Sequence, residues 1–354
     1  MKIFLLHVLG FLFSKVKSEG NKFAAMKNTL IIISTIALFL SFSGYAQEQK
    51  TRNRYGMPLY EKKDGSYKVS KPMMEILGDD IPDDLLVPCK IGPAIPAKFT
   101  TEAETIEVVY KSYPDHDLKL FIHKSAITKK PTPVMFFIHG GGWYGGRPES
   151  MLPQAKYVAQ NSGMAGVSIQ YSLCGQKGID IAAAVQDCRD AVQFIRDHAA
   201  EYNIDPGRMG FSGSSAGGHL AAVLAMTEPE AQVLVGWVGA YMPDRMLEYW
   251  PGADKHNLRE YFYNGDQEKL APYLPVKLVP TDRQIPCILF FGSGDNVVLQ
   301  NQPRDFAAAL EAAGQTVQLE FYPYYTHGFA RYSDKNAEVW RKSVKFIKTY
   351  IFQK

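Results

Sequence analysis

Cysteine is scarce in this chain. There are four in 354 residues, at positions 89, 174, 188 and 287, and no two of them form a Cys-x-x-Cys pair. That excludes a disulfide-dense scaffold and a cysteine-ligated metal centre. The eight histidines are dispersed without metal-ligand spacing, so no metal and no cofactor are expected. Cys89, Cys174, Cys188 and Cys287 sit in stretches that read as strands and helices, which predicts mostly buried free thiols with room for one disulfide. An excess of one charge is also missing: 39 basic against 36 acidic residues. Long apolar runs are lacking too. The only candidates, Ile3 to Phe13 and Thr29 to Leu40, are short for a membrane span.

The second of those runs has a different reading. Met26-Lys27-Asn28 is a basic start, the apolar stretch follows, and Ser43-Gly44-Tyr45-Ala46 ends it with small residues at the last and third-last positions. That order describes a secretory signal, with translation starting at Met26 and cleavage after Ala46. Residues 1–46 are therefore expected to be an N-terminal extension plus signal peptide, and the mature protein to be secreted or periplasmic. No Cys follows the run, so a lipid anchor is not expected either. The segment carries five Lys and one Glu, so the remainder holds 34 basic and 35 acidic residues, a formal charge of −1. Nucleic acid is thereby excluded as a partner, and no stable membrane anchor is expected.

Residues 47–104 mix Pro, Lys and paired aspartates and read as an irregular arm. From Thr105 the pattern becomes regular. Thr105–Tyr110 and Leu118–Ile122, around Asp115-His116-Asp117, predict an antiparallel hairpin. Continuous apolar strands then alternate with helical stretches: Val134–Ile138, Ala165–Ile169, Met209–Phe211, Val233–Val238, Ile288–Phe291 and Val317–Tyr322. Between the second and third of these, Ile181, Ala184, Val185, Cys188, Val192 and Ile195 recur at helical spacing, and a last helix covers about 337–351. Fully apolar strands separated by helices predict an α/β fold: a mostly parallel sheet with helices on both faces. Residues 241–286, rich in Tyr, Pro and charge, break the rhythm and predict a small cap above the strand ends.

Chemistry-bearing residues follow several of these strands. Gly213-Ser214-Ser215-Ala216-Gly217 is a G-x-S-x-G motif between a strand and an apolar helix, the setting in which a central serine is lifted out of the sheet. The motif alone is weak. His139-Gly140-Gly141-Gly142-Trp143 follows Val134–Ile138, and glycine backbone N–H groups can approach a developing negative charge closely. Gly141, Gly142 and Ala216 are the candidate donors, His139 a loop-shaping residue. A serine nucleophile needs a base. His327 lies beyond the last strand, whereas His219 reads as a core histidine and His256 as an exposed one. A carboxylate must orient that base; Asp295 directly follows Ile288–Phe291, while Asp282 precedes the strand and Asp305 reads as a helix face.

With Val134–Trp143, Tyr202–Leu220 and Thr326-His327-Gly328-Phe329 in view, residues 105–354 resemble the acetyl-esterase/lipase branch of the α/β-hydrolases. Within it they look most like bacterial feruloyl/acetyl-xylan esterases. The resemblance implies an α/β-hydrolase catalytic domain with Ser215, Asp295 and His327 as triad and Gly141, Gly142 and Ala216 as oxyanion hole. It implies acyl transfer from acetyl or feruloyl esters on plant polysaccharide, with a general short-chain carboxylesterase as the nearest alternative. A peptidase, an amidase and a non-catalytic binding module are more distant. Tyr171-Ser172-Leu173-Cys174 departs from the Asn-Tyr-Arg-Leu-like segment such proteins carry. Trp143, Tyr144, Tyr241, Trp250 and Phe329 are candidate substrate contacts, each with the alternative of being core.

Overall fold

Thr132–Ile138 buries all seven of its residues, which only a strand sandwiched between layers can do. It is β5 of the computed structural model, which describes residues 51–78, 81–89, 105–125, 130–176 and 178–352. The expected signal segment, its cleavage site and residues 90–104 of the arm lie outside the described residues.

In chain order the arm contributes a two-residue hairpin, β1 (Tyr60–Glu61) and β2 (Tyr67–Lys68), and helix α1 (Lys71–Leu77). Then come β3 (Thr105–Tyr113), β4 (His116–His123) and β5. The hairpin turn is tighter than the sequence suggested, since Tyr113 already pairs with His116. Next are α2 (Leu152–Ser162), β6 (Ala165–Ile169), α3 (Ile181–Asp197) and α4 (Ala199–Tyr202). Asp180 caps α3 by accepting from the Ala183 N–H at 2.9 Å, satisfying one of the donors a helix start leaves open.

β7 (Ile204–Ser214) is longer than its apolar centre and takes in Asp205-Pro206-Gly207. It leads into α5 (Ala216–Thr227), and β8 (Ala231–Trp237) follows. The expected cap region holds five short helices, α6 (Pro243–Tyr249), α7 (Pro251–Lys255), α8 (Leu258–Tyr261), α9 (Gln267–Leu270) and α10 (Pro275–Leu278). The chain closes with β9 (Cys287–Gly292), α11 (Asn301–Ala312), β10 (Val317–Tyr322), α12 (Phe329–Tyr332) and α13 (Asn336–Phe352).

The eight-stranded sheet runs β10-β9-β8-β7-β5-β6-β4-β3. From β6 to β10 every pairing is parallel; only β4 and β3, at one edge, are antiparallel. Parallel strands end on the same side, so the segments after β5, β7, β9 and β10 all emerge along one sheet edge. Those are the four segments that carry the candidate residues. The Tyr171–Cys174 segment is anchored without an arginine. The Ser172 N–H donates to the buried Asp187 carboxylate at 2.9 Å, Lys111 pairs with the same group at 2.7 Å, and the Cys174 N–H donates to the Trp143 carbonyl at 2.9 Å. All four cysteines are free thiols, three buried and Cys89 partly so, and no disulfide forms.

Candidate active site

At the end of β7 the backbone turns through Ser215 with φ 57° and ψ −121°, and α5 begins at the next residue. Left-handed φ at a residue with a side chain costs on the order of 1–3 kcal/mol, and persists only where the surroundings enforce it. Here the enforcement is close packing. A methyl on Gly213 would collide with the Gly217 carbonyl, and one on Gly217 with the Ile138 carbonyl. The strand, the turn and the helix start therefore fit together only with bare glycine. The turn is also tied to β8, since the Ser215 N–H donates to the Trp237 carbonyl at 3.0 Å.

The glycine-rich loop after β5 lies against this turn. A Cβ on Gly140 would stand 3.2 Å from that of Ser215. The Gly141 carbonyl accepts from the Gly145 N–H at 2.9 Å, closing the loop on itself. His139 shapes the loop. It is 1% exposed, its ring stacks on Tyr171 at 4.3 Å, and its Nδ1 lies 2.9 Å from the Gly140 carbonyl. Burial pushes its pKa down to about 4.

The segment after β9 supplies a carboxylate with every oxygen engaged. Asp295 Oδ1 accepts from the N–H groups of Val297 and Val298, both at 2.9 Å, and Oδ2 meets His327 Nδ1 at 2.8 Å. A carboxylate only accepts, so the shared proton sits on Nδ1 and Nε2 keeps its lone pair. The aspartate side chain is fully enclosed while the imidazole stays 22% exposed, so the pair faces outward through the histidine.

The His327 loop is held from outside the sheet, by the arm. The Thr326 N–H donates to the Tyr55 carbonyl at 3.2 Å, and the Tyr55 ring stands edge-on to Tyr324 and Tyr325 at 5.7 and 5.1 Å. Arg54 pairs with Asp334 at 2.9 Å, and the Tyr325 hydroxyl donates to the same aspartate at 2.6 Å. Arm residues Met57, Tyr60 and Met73 share a cleft with His327. No local pattern in the sequence marks these arm residues, because their partners lie about 250 residues away.

The other candidates separate cleanly. His219 is buried: Nδ1 accepts from the Trp143 indole N–H at 3.2 Å, so Nε2 carries the proton and donates to the Tyr273 carbonyl at 2.7 Å. Burial drives its pKa down to about 4. His256 is part-buried rather than exposed, stacked on Tyr144 at 3.6 Å. Asp305 pairs with Arg245 on the surface at 2.6 Å. Of the aromatic candidates, Trp143, Tyr241 and Phe329 are wholly buried, which corrects their reading as substrate contacts. Tyr241 stacks on Phe306 at 4.4 Å, and Phe329 packs on Tyr322 and Tyr325. Tyr144 and Trp250 keep partial exposure beside Gly142, a methyl on which would press on both rings.

Known proteins resemble this chain in sequence and fold. The BD-FAE family model matches residues 120–248. Carboxylesterase NlhH of Mycobacterium tuberculosis is 25% identical over 233 residues, spanning 61% of this chain and 72% of that one. Among solved structures, the propionate-bound esterase Est2 of Thermogutta terrifontis superposes with a TM-score of 0.57 at 29% identity, over 70% of this chain and 92% of its own. The same organism's esterase 2 phosphoramylated by tabun gives a TM-score of 0.58 at 27% identity, over 71% and 96%. The chain is an α/β-hydrolase esterase. As a serine carboxylesterase it needs a nucleophile, a base and an anion-stabilising pocket, and its candidates for all three lie on one edge of the sheet.

Proposed function

We propose that Ser215 is the nucleophile of this esterase, His327 its general base and Asp295 the carboxylate that orients the base. The N–H groups of Gly141, Gly142 and Ala216 receive the oxyanion. The observation that carries the assignment is the Asp295–His327 pair, 2.8 Å long. It is built on the segments after β9 and β10, parallel strands of the same sheet in which β7, on the far side of β8, ends in the Ser215 turn.

In the first step Ser215 Oγ attacks the ester carbonyl as His327 Nε2 takes its proton, and charge gathers on the former carbonyl oxygen beside the three N–H groups. Collapse breaks the ester C–O bond, with the His327 proton passing to the leaving alcohol. Water then attacks the acyl-serine, again through His327, releasing the acid and restoring Ser215. Fluorophosphonate labelling tests this: the wild type is expected to react and Ser215→Ala not to. Absence of reaction in the wild type, or labelling that survives in the variant, overturns the assignment.

We further propose a short acyl group, acetyl above all, carried on plant polysaccharide, with an exported enzyme cleaved after Ala46. The resemblance to feruloyl/acetyl-xylan esterases and the signal-like residues 26–46 support this. So does the propionate held by the Thermogutta enzyme, a small acid like the expected product. A panel of acetylated xylooligosaccharide, methyl ferulate, nitrophenyl esters of rising chain length and an amide discriminates. Preference for the xylooligosaccharide supports the reading; equal turnover of simple short-chain esters favours the general carboxylesterase.

A further inference from the structure

The arm does more than brace the His327 loop: it walls a cleft of about 250 Å³ that opens on His327 itself. Met57, Val69 and Met73 give it an apolar side and are all buried, while Ser70 and Thr326 contribute hydroxyls. Tyr60 stands at the rim, 43% exposed. In serine acyl transfer the histidine returns its proton to the leaving oxygen, so the alcohol half of the ester must lie beside the histidine. A cleft lined by His327 is therefore placed to receive the alcohol. The volume corresponds to about eight waters, room for a six-membered ring.

Resting on the serine chemistry proposed above, we infer that the arm cleft is the leaving-group subsite and takes a single sugar ring. Such a ring has an apolar face for the methionine side and hydroxyl edges for Ser70 and Thr326. A plain alkyl alcohol fills the first and offers nothing to the Ser70 hydroxyl or to the free lone pair of Thr326, whose own proton goes to the Tyr55 carbonyl at 3.4 Å, and that is where discrimination arises. The arm is then a specificity element for the alcohol, separate from the Gly142, Tyr144 and Trp250 neighbourhood.

The test holds the acyl group constant. The kcat/KM for acetylated methyl xylopyranoside is measured against that for cyclohexyl acetate, a ring of the same size without hydroxyls. Ser70→Trp fills the cleft, and Ser70 makes no side-chain capping bond to lose. Tyr60→Ala removes the rim at an exposed position and guards against a misfolded first variant. The wild type is expected to favour the sugar ester by roughly ten-fold or more, with Ser70→Trp removing most of that preference and Tyr60→Ala part of it. A ratio unmoved by both substitutions overturns the inference, as does a change in the ranking of acetate against butyrate on a constant alcohol. Either result in a protein that still labels with fluorophosphonate leaves the serine chemistry standing. Failure to label overturns both.

Discussion

At the residue scale, the candidate site lies where the local geometry leaves least room. Asp295 donates nothing and accepts three bonds, so an asparagine there must turn an amide N–H₂ toward one of its donors. Asp295→Asn is expected to fold and to lower kcat by about a thousand- to ten-thousand-fold, through loss of the correct histidine tautomer. Steady-state kinetics beside a thermal melt check this; a variant within ten-fold of wild type would remove Asp295 from the reaction. Gly217→Ala should act differently. Its methyl has backbone on the far side and nothing flexible to displace, so soluble expression is expected to collapse.

The same scale shows what a sequence conceals. The positions of Ser215, Asp295 and His327 were legible because each follows a strand that the sequence marks. Trp143, Tyr241 and Phe329 were not, since an aromatic that packs and one that binds carry the same side chain; only burial separates them. His256 deceived in the other direction: its charged neighbours suggested solvent, and Tyr144 half covers it.

At the scale of elements, β6 and β10 were readable to the residue for different reasons: β6, buried throughout, writes a continuous apolar run, and the edge strand β10 alternates apolar with polar residues. The arm resisted reading because its structure is set by distant partners and not by its own propensities. Its mechanical role makes a prediction. Tyr55 is 8% exposed and joins Asp84, Tyr324 and Tyr325, so Tyr55→Ala should cost about 3 kcal/mol of stability. Because its contacts end at Thr326, kcat is expected to fall more than the stability loss alone implies when assayed well below the melt. Arg54→Ala breaks half-exposed ion pairs with Asp334 and Asp84 and should cost about 1 kcal/mol, well below the Tyr55 loss. Chemical denaturation of the two variants ranks them, and equal losses would refute the latch.

For the whole molecule, buried histidines set an acid limit. His139 and His219 both have pKa values pushed down to about 4 by burial, whereas an unfolded histidine titrates near 6.5. Between those values the unfolded chain takes up protons that the folded one refuses, so stability is complete above about pH 6.5 and drains away as the pH falls toward 4. Each contributes on the order of 3 kcal/mol across that window. At His219 geometry acts in the same direction as burial: protonating Nδ1 would set its N–H against the Trp143 indole N–H, donor to donor. Melting temperature recorded from pH 8 to pH 4 should decline from about 6.5, and His219→Gln should flatten the curve. A melt insensitive to pH over that range contradicts the assignment.

The bond between Tyr55 and Thr326 joins positions 271 residues apart. A ribosome or a translocation channel delivers the first of these long before the second, so the arm must wait, undocked, until nearly the whole sheet exists. Competence for catalysis is then a signal that synthesis has reached its far end: a chain halted before Thr326 can build most of its strands and still be inert. In refolding, the return of activity should trail the return of far-ultraviolet ellipticity, with the lag measuring the time two remote stretches take to find each other.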